Sequence, residues 1–166
     1  MHSRESMTDA TDPRGGARVR LPAPLVLLVS ILVGVALRYL VAAAPLPGPR
    51  LAQLVAGALL LVAGTGIGMP AYRLFKKTGQ SPKPWTPSPE LLARGPYRFS
   101  RNPMYVGMFA QQLGIGLLVG TAWVVGLSVV TLLVIHVTSV IPEEAYLEQR
   151  FGASYRDYKS KVRRYL

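Results

Sequence analysis

Long apolar runs dominate the pattern of hydrophobic and polar positions along the chain. Residues 51–72 carry no charged side chain over 22 positions, and residues 104–142 carry none over 39 positions. Because a membrane-spanning helix needs roughly 20 apolar residues, the first run predicts one span and the second predicts two, divided at Gly120. A further apolar stretch begins near residue 22. The pattern therefore predicts four spans, at 22–44, 51–72, 104–120 and 122–141.

The polar segments around these runs complete the predicted architecture. Residues 1–20 have mixed charge and two adjacent glycines, which is typical of a disordered tail. The 73–103 loop is rich in proline and cannot form a continuous helix. In residues 143–166 the apolar side chains recur every three or four positions, the helical period, with Gly152 expected to separate two short helices. We therefore predict an all-α integral membrane protein, with one membrane domain (21–166) that ends in amphipathic helices at the membrane surface.

The distribution of basic residues predicts the orientation of the chain. The net charge is +11, yet only 16% of the residues are charged, against about 25% in soluble domains. Arginine and lysine concentrate before the first predicted span, in the 73–103 loop and after the fourth span, whereas the other side carries only Arg38 and Arg50. This asymmetry follows the positive-inside rule and predicts that both termini and the 73–103 loop are cytoplasmic.

The same distribution identifies the expected partner. Contact with the bilayer and its anionic headgroups explains the surplus positive charge better than nucleic acid does. We therefore expect an integral protein of the cytoplasmic (inner) membrane with no nucleic-acid partner, and the sequence leaves the oligomeric state open. The absence of cysteine excludes disulfides, thiolate metal centres and a catalytic thiol, and no metal site is predicted.

A glycine cluster lies within the second predicted span. Residues 64–68, Gly-Thr-Gly-Ile-Gly, have the glycine spacing of a dinucleotide-binding loop. That interpretation requires a preceding strand, and this cluster instead lies inside an apolar run. The context favours close helix packing through Gly64 and Gly68.

The start of the third predicted span has the densest chemistry in the chain. Asn102 and Pro103 are suited to begin a helix, because asparagine caps the first turn and proline fits its first position. Capping does not account for Tyr97, Arg98 and Tyr105, which crowd the same segment. We therefore interpret this segment as a binding site.

Three further polar residues lie at or near the same predicted depth. Glu143 and Glu144 follow the fourth predicted span, and His136 lies about two turns inside it. The carboxylates could simply favour the dipole of the helix start, and His136 could be an interhelical hydrogen-bonding residue. Together with the tyrosine and arginine residues, however, they offer a cationic small molecule carboxylates, aromatic faces and backbone donors.

The order of these residues resembles a known family. The pattern is Gly95-Pro-Tyr-Arg, then Arg101-Asn-Pro-Met-Tyr-Val-Gly, then Glu143-Glu144, Leu147, Phe151-Gly152, Tyr155, Tyr158 and Val162-Arg163-Arg164. Over roughly residues 64–164 it is similar to the isoprenylcysteine carboxyl methyltransferase and phospholipid methyltransferase family. The resemblance implies an integral-membrane enzyme that binds S-adenosylmethionine (SAM) on the cytosolic side without a Rossmann domain. Ser139 stands where eukaryotic prenylcysteine enzymes carry an arginine, so the resemblance favours a prenylcysteine substrate less than other amphiphiles.

The expected activity is methyl transfer from SAM to an amphiphilic or lipid acceptor, with S-adenosylhomocysteine as product. Arg98 or Arg101 could pair with the cofactor carboxylate. If the acceptor is an ammonium group, Glu144 and His136 are the candidate bases. The cofactor-binding residues that the resemblance and the charge pattern imply are Glu90, Leu91, Leu92, Tyr97, Arg98, Arg101, Asn102, Pro103, Met104, Tyr105 and Glu143. Two alternatives remain open, an NADPH-dependent sterol-type reductase and a non-enzymatic lipid-binding scaffold.

Overall fold

The regular secondary structure is helical in the residues that the structure, a computed structural model, describes, which are 15–19 and 21–166. The predicted disordered tail falls mostly on residues 1–14 and 20, which lie outside the described residues. Among those described, Ala17 is buried and its N–H donates to the Pro84 carbonyl at 2.8 Å. The helices are α1 (Ala23–Leu40), α2 (Arg50–Lys77), α3 (Pro103–Val119), α4 (Ala122–Ile135), α5 (Ile141–Phe151) and α6 (Ala153–Lys161), with a 3₁₀ turn (Gly95–Arg98) and a π-helical turn (His136–Val140).

Three segments of the described chain are long and apolar enough to cross a membrane. They are Ala23–Leu40, Arg50–Lys77 and Ala122–Phe151. The third predicted span coincides with α3, which is apolar but has only 17 residues. The helix of the last predicted span does not end near Pro142, because the π-helical turn leads directly into α5. Proline is tolerated in the first turn of α5, where its missing N–H is not needed.

The chain divides into two compact units. The first, here called the apolar unit, consists of Ala23–Gly68 and Met104–Ile135. The second, here called the polar unit, consists of Met69–Pro103, His136–Leu166 and the described residues before Ala23.

Glycine pairs bring α2 and α3 together in the apolar unit. A Cβ atom added to Gly64 would lie 2.6 Å from the Gly107 carbonyl oxygen, and one added to Gly107 would lie 2.6 Å from that of Gly64. Gly57 and Gly114 approach each other in the same way, at 2.9 and 2.8 Å. Real Cβ atoms do not come this close to an oxygen, so both helices require glycine here. The prediction of close packing through Gly64 is confirmed.

Two arginines cap the end of α3. Arg50 donates to the carbonyls of Leu117, at 3.0 Å, and Leu118, and Arg38 donates to that of Val119. The last carbonyls of a helix have no intrahelical partner, so these guanidinium groups satisfy them. The two exceptions to the charge asymmetry of the sequence therefore have a structural role.

The end of the chain packs aromatic side chains inside the polar unit. Gly152 has a φ of +53° and separates α5 from α6, as predicted, because glycine adopts the left-handed region without strain. Tyr155 and Tyr158 on α6 are buried. The apolar face that the sequence predicts for these amphipathic helices is therefore in contact with protein.

Candidate functional site

A buried carboxylate organises the polar unit. Oε1 of Glu144 accepts from Arg164 Nε at 3.1 Å, and Oε2 accepts from Arg164 Nη2 at 2.9 Å. Arg101 forms an ion pair with the same carboxylate, its Nη2 lying 3.2 Å from Oε1. The side chains of Arg101 and Glu144 are only 8% and 9% exposed. A charge removed from water needs a partner of opposite sign, and here one carboxylate is shared by two guanidinium groups. Hydrogen bonding to Glu144 raises the pKa of Arg164, so this guanidinium stays charged.

The Arg101 guanidinium has buried hydrogen-bond donors that the described part of the chain does not satisfy. Its Nε and Nη1 are buried and have no hydrogen-bond partner in the described part of the chain. A buried donor without an acceptor costs about 1–3 kcal/mol, so such groups are rare in folded proteins. Nε and Nη1 point in different directions, and a carboxylate or another oxyanion could accept a hydrogen bond from either of them.

Residues 163–165 lie along the segment that begins α3. The Arg101 N–H donates to the Arg163 carbonyl at 2.9 Å. The Arg164 carbonyl accepts from Asn102 Nδ2 at 3.0 Å and from Ser100 Oγ at 3.3 Å. The amide nitrogen of Asn102 is therefore engaged by the protein, and Asn102 is buried.

His136 is paired with the next residue of the same segment. Its Nδ1 lies 2.7 Å from the Tyr165 hydroxyl, within hydrogen-bond distance. It opens the π-helical turn His136–Val140, and such turns occur frequently at functional sites. Burial raises the pKa of Tyr165, so its phenol is protonated at neutral pH.

Tyr97 is part of the packed interior. Its ring meets Phe75 edge-on at 5.9 Å between centroids, and its carbonyl accepts from the Tyr158 hydroxyl at 2.7 Å. Burial raises the pKa of the Tyr97 hydroxyl, and the charge of Glu143 raises it further. Glu143 is half-buried and lies close enough for its charge to act on Tyr97.

The proline-rich loop presents a second unpaired polar atom. Glu90 is exposed and accepts from Arg94 at 3.0 Å and, at 3.5 Å, from Gln80 Nε2. Oε1 of Gln80 is buried without a partner in the described residues. The Ser88 N–H donates to the Tyr146 hydroxyl at 3.0 Å, and the Ser88 carbonyl accepts from Arg150 Nε at 3.1 Å. The α5 helix therefore fixes the backbone of this loop.

The structure brings most of the predicted site residues into the polar unit. These are Glu90, Leu91, Leu92, Tyr97, Arg98, Arg101, Asn102, Pro103, His136, Glu143 and Glu144. Within this group Leu92 and Pro103 are buried, whereas Arg98 is exposed. Met104 and Tyr105 belong to the apolar unit, so their assignment to the cofactor stays a prediction.

Sequence reasoning did not assign roles to Gln80, Arg164 and Tyr165. Nothing local distinguishes Gln80 from other loop residues. Arg164 and Tyr165 stand in a basic, aromatic segment whose periodicity predicts an amphipathic helix. The sequence did contain one indication that Arg164 belongs to the site, because Arg164 is part of the pattern on which the family resemblance rests.

One family model matches most of the chain. The model of a family described as phospholipid methyltransferase matches residues 52–154, more than half of the 166-residue chain. The chain belongs to the phospholipid methyltransferase family. The match includes the α3 segment, Glu143 and Glu144, and it ends before Arg164 and Tyr165. The family predicted from the sequence is confirmed.

Two curated proteins are similar to parts of this chain. The protein-S-isoprenylcysteine O-methyltransferase of Schizosaccharomyces pombe is 38% identical over 72 residues, which are 43% of this chain and 30% of the yeast protein. An uncharacterised protein of Haemophilus influenzae is 50% identical over 38 residues, 23% of this chain and 60% of that protein. The matched region thus spans less than two thirds of either relative. No solved structure matches the chain.

Proposed function

We propose that the protein is an integral-membrane methyltransferase that uses SAM to methylate an amphiphilic or lipid acceptor. The observation that carries this proposal is the buried guanidinium of Arg101, which has two unpartnered N–H groups in a segment matched by the family model. SAM has a carboxylate that requires donors, and an ammonium and an amino group that require acceptors. The unpaired donors of Arg101 and the unpaired acceptor of Gln80 fit these two needs.

The proposed binding roles follow from these contacts. Arg101 binds the cofactor carboxylate through one of its unpartnered nitrogens, Nε or Nη1, while its Nη2 stays on Glu144. Glu143 binds the ammonium group or the ribose hydroxyls of SAM. The side-chain oxygens of Gln80 and Glu90 accept hydrogen bonds from the amino group of SAM. Asn102 offers only its side-chain oxygen, because its nitrogen donates to the Arg164 carbonyl.

The proposed chemistry assigns a proton acceptor. SAM, when bound, supplies an electrophilic methyl group on a sulfonium and leaves as S-adenosylhomocysteine. Methyl transfer is an in-line displacement, so alignment provides most of the catalysis. A carboxylate acceptor needs no base, whereas an ammonium acceptor must first lose a proton while its electron pair stays on nitrogen. Glu144 is paired with two arginines, so we assign this proton to Nε2 of His136, which lies opposite the Nδ1 paired with Tyr165.

The proposed topology has four spans, with α3 as the short third one and both termini in the cytoplasm. Its support is the basic 73–103 loop and the basic end of the chain. Because Arg38 and Arg50 are held by carbonyls of α3, the two positive charges on the opposite side do not argue against this orientation. The acceptor then enters from the bilayer and the cofactor from the cytosol.

The test is transfer of a labelled methyl group. Membranes containing the protein are incubated with methyl-labelled SAM, and lipids are extracted and identified. We expect one labelled lipid class, which is lost in Arg101→Gln and kept in Arg156→Gln, a matched charge removal at an exposed position. Calorimetric titration of the purified protein with SAM and with NADPH accompanies it. Binding of NADPH alone would contradict the proposal in favour of a reductase, and binding of neither would favour a scaffold.

A further inference from the structure

Three consecutive residues of the polar unit, Arg163, Arg164 and Tyr165, contact Arg101, Glu144 and His136. The carbonyl of Arg163 accepts from the Arg101 N–H. Arg164 holds Glu144 with its guanidinium. Tyr165 contacts His136. These residues lie beyond the family-model match, which ends at residue 154, although Arg163 and Arg164 belong to the sequence pattern that resembles the family.

Arg164 controls the orientation of Arg101 through a shared carboxylate. It approaches Glu144 with two nitrogens, Nε and Nη2, which fixes the plane of the carboxylate. Glu144 in turn contacts only Nη2 of Arg101, which leaves Nε and Nη1 of that guanidinium without a partner in the described part of the chain. With a mobile carboxylate, Arg101 would rotate to use its free donors on Glu144. Arg164 therefore keeps those donors available for an oxyanion.

Tyr165 controls the orientation of His136. A protonated imidazole carries hydrogens on both nitrogens, so Nδ1 then donates to the Tyr165 oxygen 2.7 Å away. This contact holds the ring in one orientation and stabilises it once a proton has been taken up on Nε2. The phenol is half-buried, which limits competition from water.

We infer that residues 163–165 position both halves of the site, Arg164 acting through Glu144 on cofactor binding and Tyr165 acting through His136 on proton removal. Arg164 and Tyr165 are thus positioning residues for the two separate steps. The inference rests on the proposed function.

The test separates the two steps in two variants. Arg164→Gln removes the charge and the two-point contact, and we expect SAM to bind about tenfold more weakly, the loss of one charge-assisted hydrogen bond. The rate of methyl transfer by Arg164→Gln at saturating SAM should stay within about twofold of the rate of the parent. Arg164→Lys keeps the charge and one contact, so it should restore part of the affinity, and it serves as the measured variant if Arg164→Gln does not fold.

Tyr165→Phe removes one hydroxyl only. We expect the rate with an ammonium acceptor at saturating SAM to fall about tenfold, since the protonated ring loses its acceptor, while SAM affinity stays within about twofold. Tyr39→Phe, at an exposed position of α1, and Arg156→Gln are the matched controls. Affinity is measured by calorimetry in detergent and rate by labelled methyl transfer.

The outcomes separate this inference from the proposed function. Failure of the parent to bind SAM overturns both. If the parent binds and transfers, but both variants lose affinity and rate together, the segment has a structural role only and the inference is wrong. Two variants that match the parent contradict it as well. Only the split, with affinity lost in one variant and rate in the other, supports it.

Discussion

The two units use buried polar side chains in different ways. In the apolar unit, Gln112 donates to Ser30 at 2.9 Å and Thr131 lies 2.7 Å from the same hydroxyl, so neutral groups link α1, α3 and α4. In the polar unit, charged groups converge on Glu144. Each unit has buried side-chain atoms without a partner among the described residues, Oε1 of Gln112 in the first, and Oε1 of Gln80 with Nε and Nη1 of Arg101 in the second. An unpartnered amide oxygen is neutral, whereas the guanidinium is charged, so leaving its donors without an acceptor costs more free energy.

The largest expected effect is in the polar unit. Glu144→Gln removes the charge shared by Arg101 and Arg164 and leaves a buried guanidinium uncompensated. We expect the free energy of unfolding to fall by about 3 kcal/mol, measured by denaturant titration in mixed micelles. Glu148→Gln, whose ion pair with Lys159 is largely exposed, is the control and should change little. Equal losses in both variants would contradict a special role for the buried cluster.

The next effect belongs to the apolar unit. Gly107→Ala places a methyl group 2.6 Å from the Gly64 carbonyl oxygen, so α2 and α3 must separate. We expect a loss of about 2 kcal/mol in the same micelle titration. Gly66→Ala is the matched control, since a Cβ there meets nothing within 4 Å, and helix propensity should make it neutral or slightly stabilising. A stable Gly107→Ala variant would show that these helices do not depend on glycine contacts.

A smaller effect is expected where a single hydrogen bond is removed in the polar unit. Burial raises the pKa of Tyr158 to about 12, so its phenol is protonated and donates to the Tyr97 carbonyl. Tyr158→Phe should lower the free energy of unfolding by about 1 kcal/mol. Tyr39→Phe should leave it unchanged, because that side chain is 77% exposed.

The smallest expected effect concerns the neutral hydrogen bonds of the apolar unit. Gln112→Leu breaks the contact with Ser30, worth about 0.6 kcal/mol between membrane helices, but also removes the unpaired Oε1. We expect the two changes to cancel within about 0.5 kcal/mol in the micelle titration. A much larger loss would mean that the neutral network has a partner or function comparable to that of the charged cluster.

Local pattern predicted the apolar unit well. Uncharged runs gave the helices, Gly64 indicated the close contact, and Gly152 marked the break between α5 and α6. These features depend on neighbours within a few turns of the chain. The sequence also predicted that the aromatic face of residues 143–166 lies at the membrane surface. Periodicity identifies an apolar face but does not identify what covers it, and in the structure Tyr155 is covered by protein.

The organisation of the polar unit depends on contacts that local pattern does not contain. The Asn102 amide meets the Arg164 carbonyl across 62 residues, and Glu144 meets Arg164 across 20. The sequence identified Glu144 as a candidate base, but two arginines compete for its oxygens only once the chain has folded. Most of the predicted site residues therefore lie in the polar unit, where their assignment to a site stays a prediction, and the contacts between them came from the structure.

The central claim is that an unpartnered donor of the Arg101 guanidinium binds the cofactor carboxylate, and one calorimetric comparison tests it directly. The affinities of SAM and of decarboxylated SAM are measured for the parent and for Arg101→Gln. The account predicts that the parent prefers SAM by about tenfold or more, equivalent to at least ~1.4 kcal/mol, and that Arg101→Gln binds both compounds equally. A parent that does not distinguish the two compounds, or a variant that keeps the full preference, would contradict the claim.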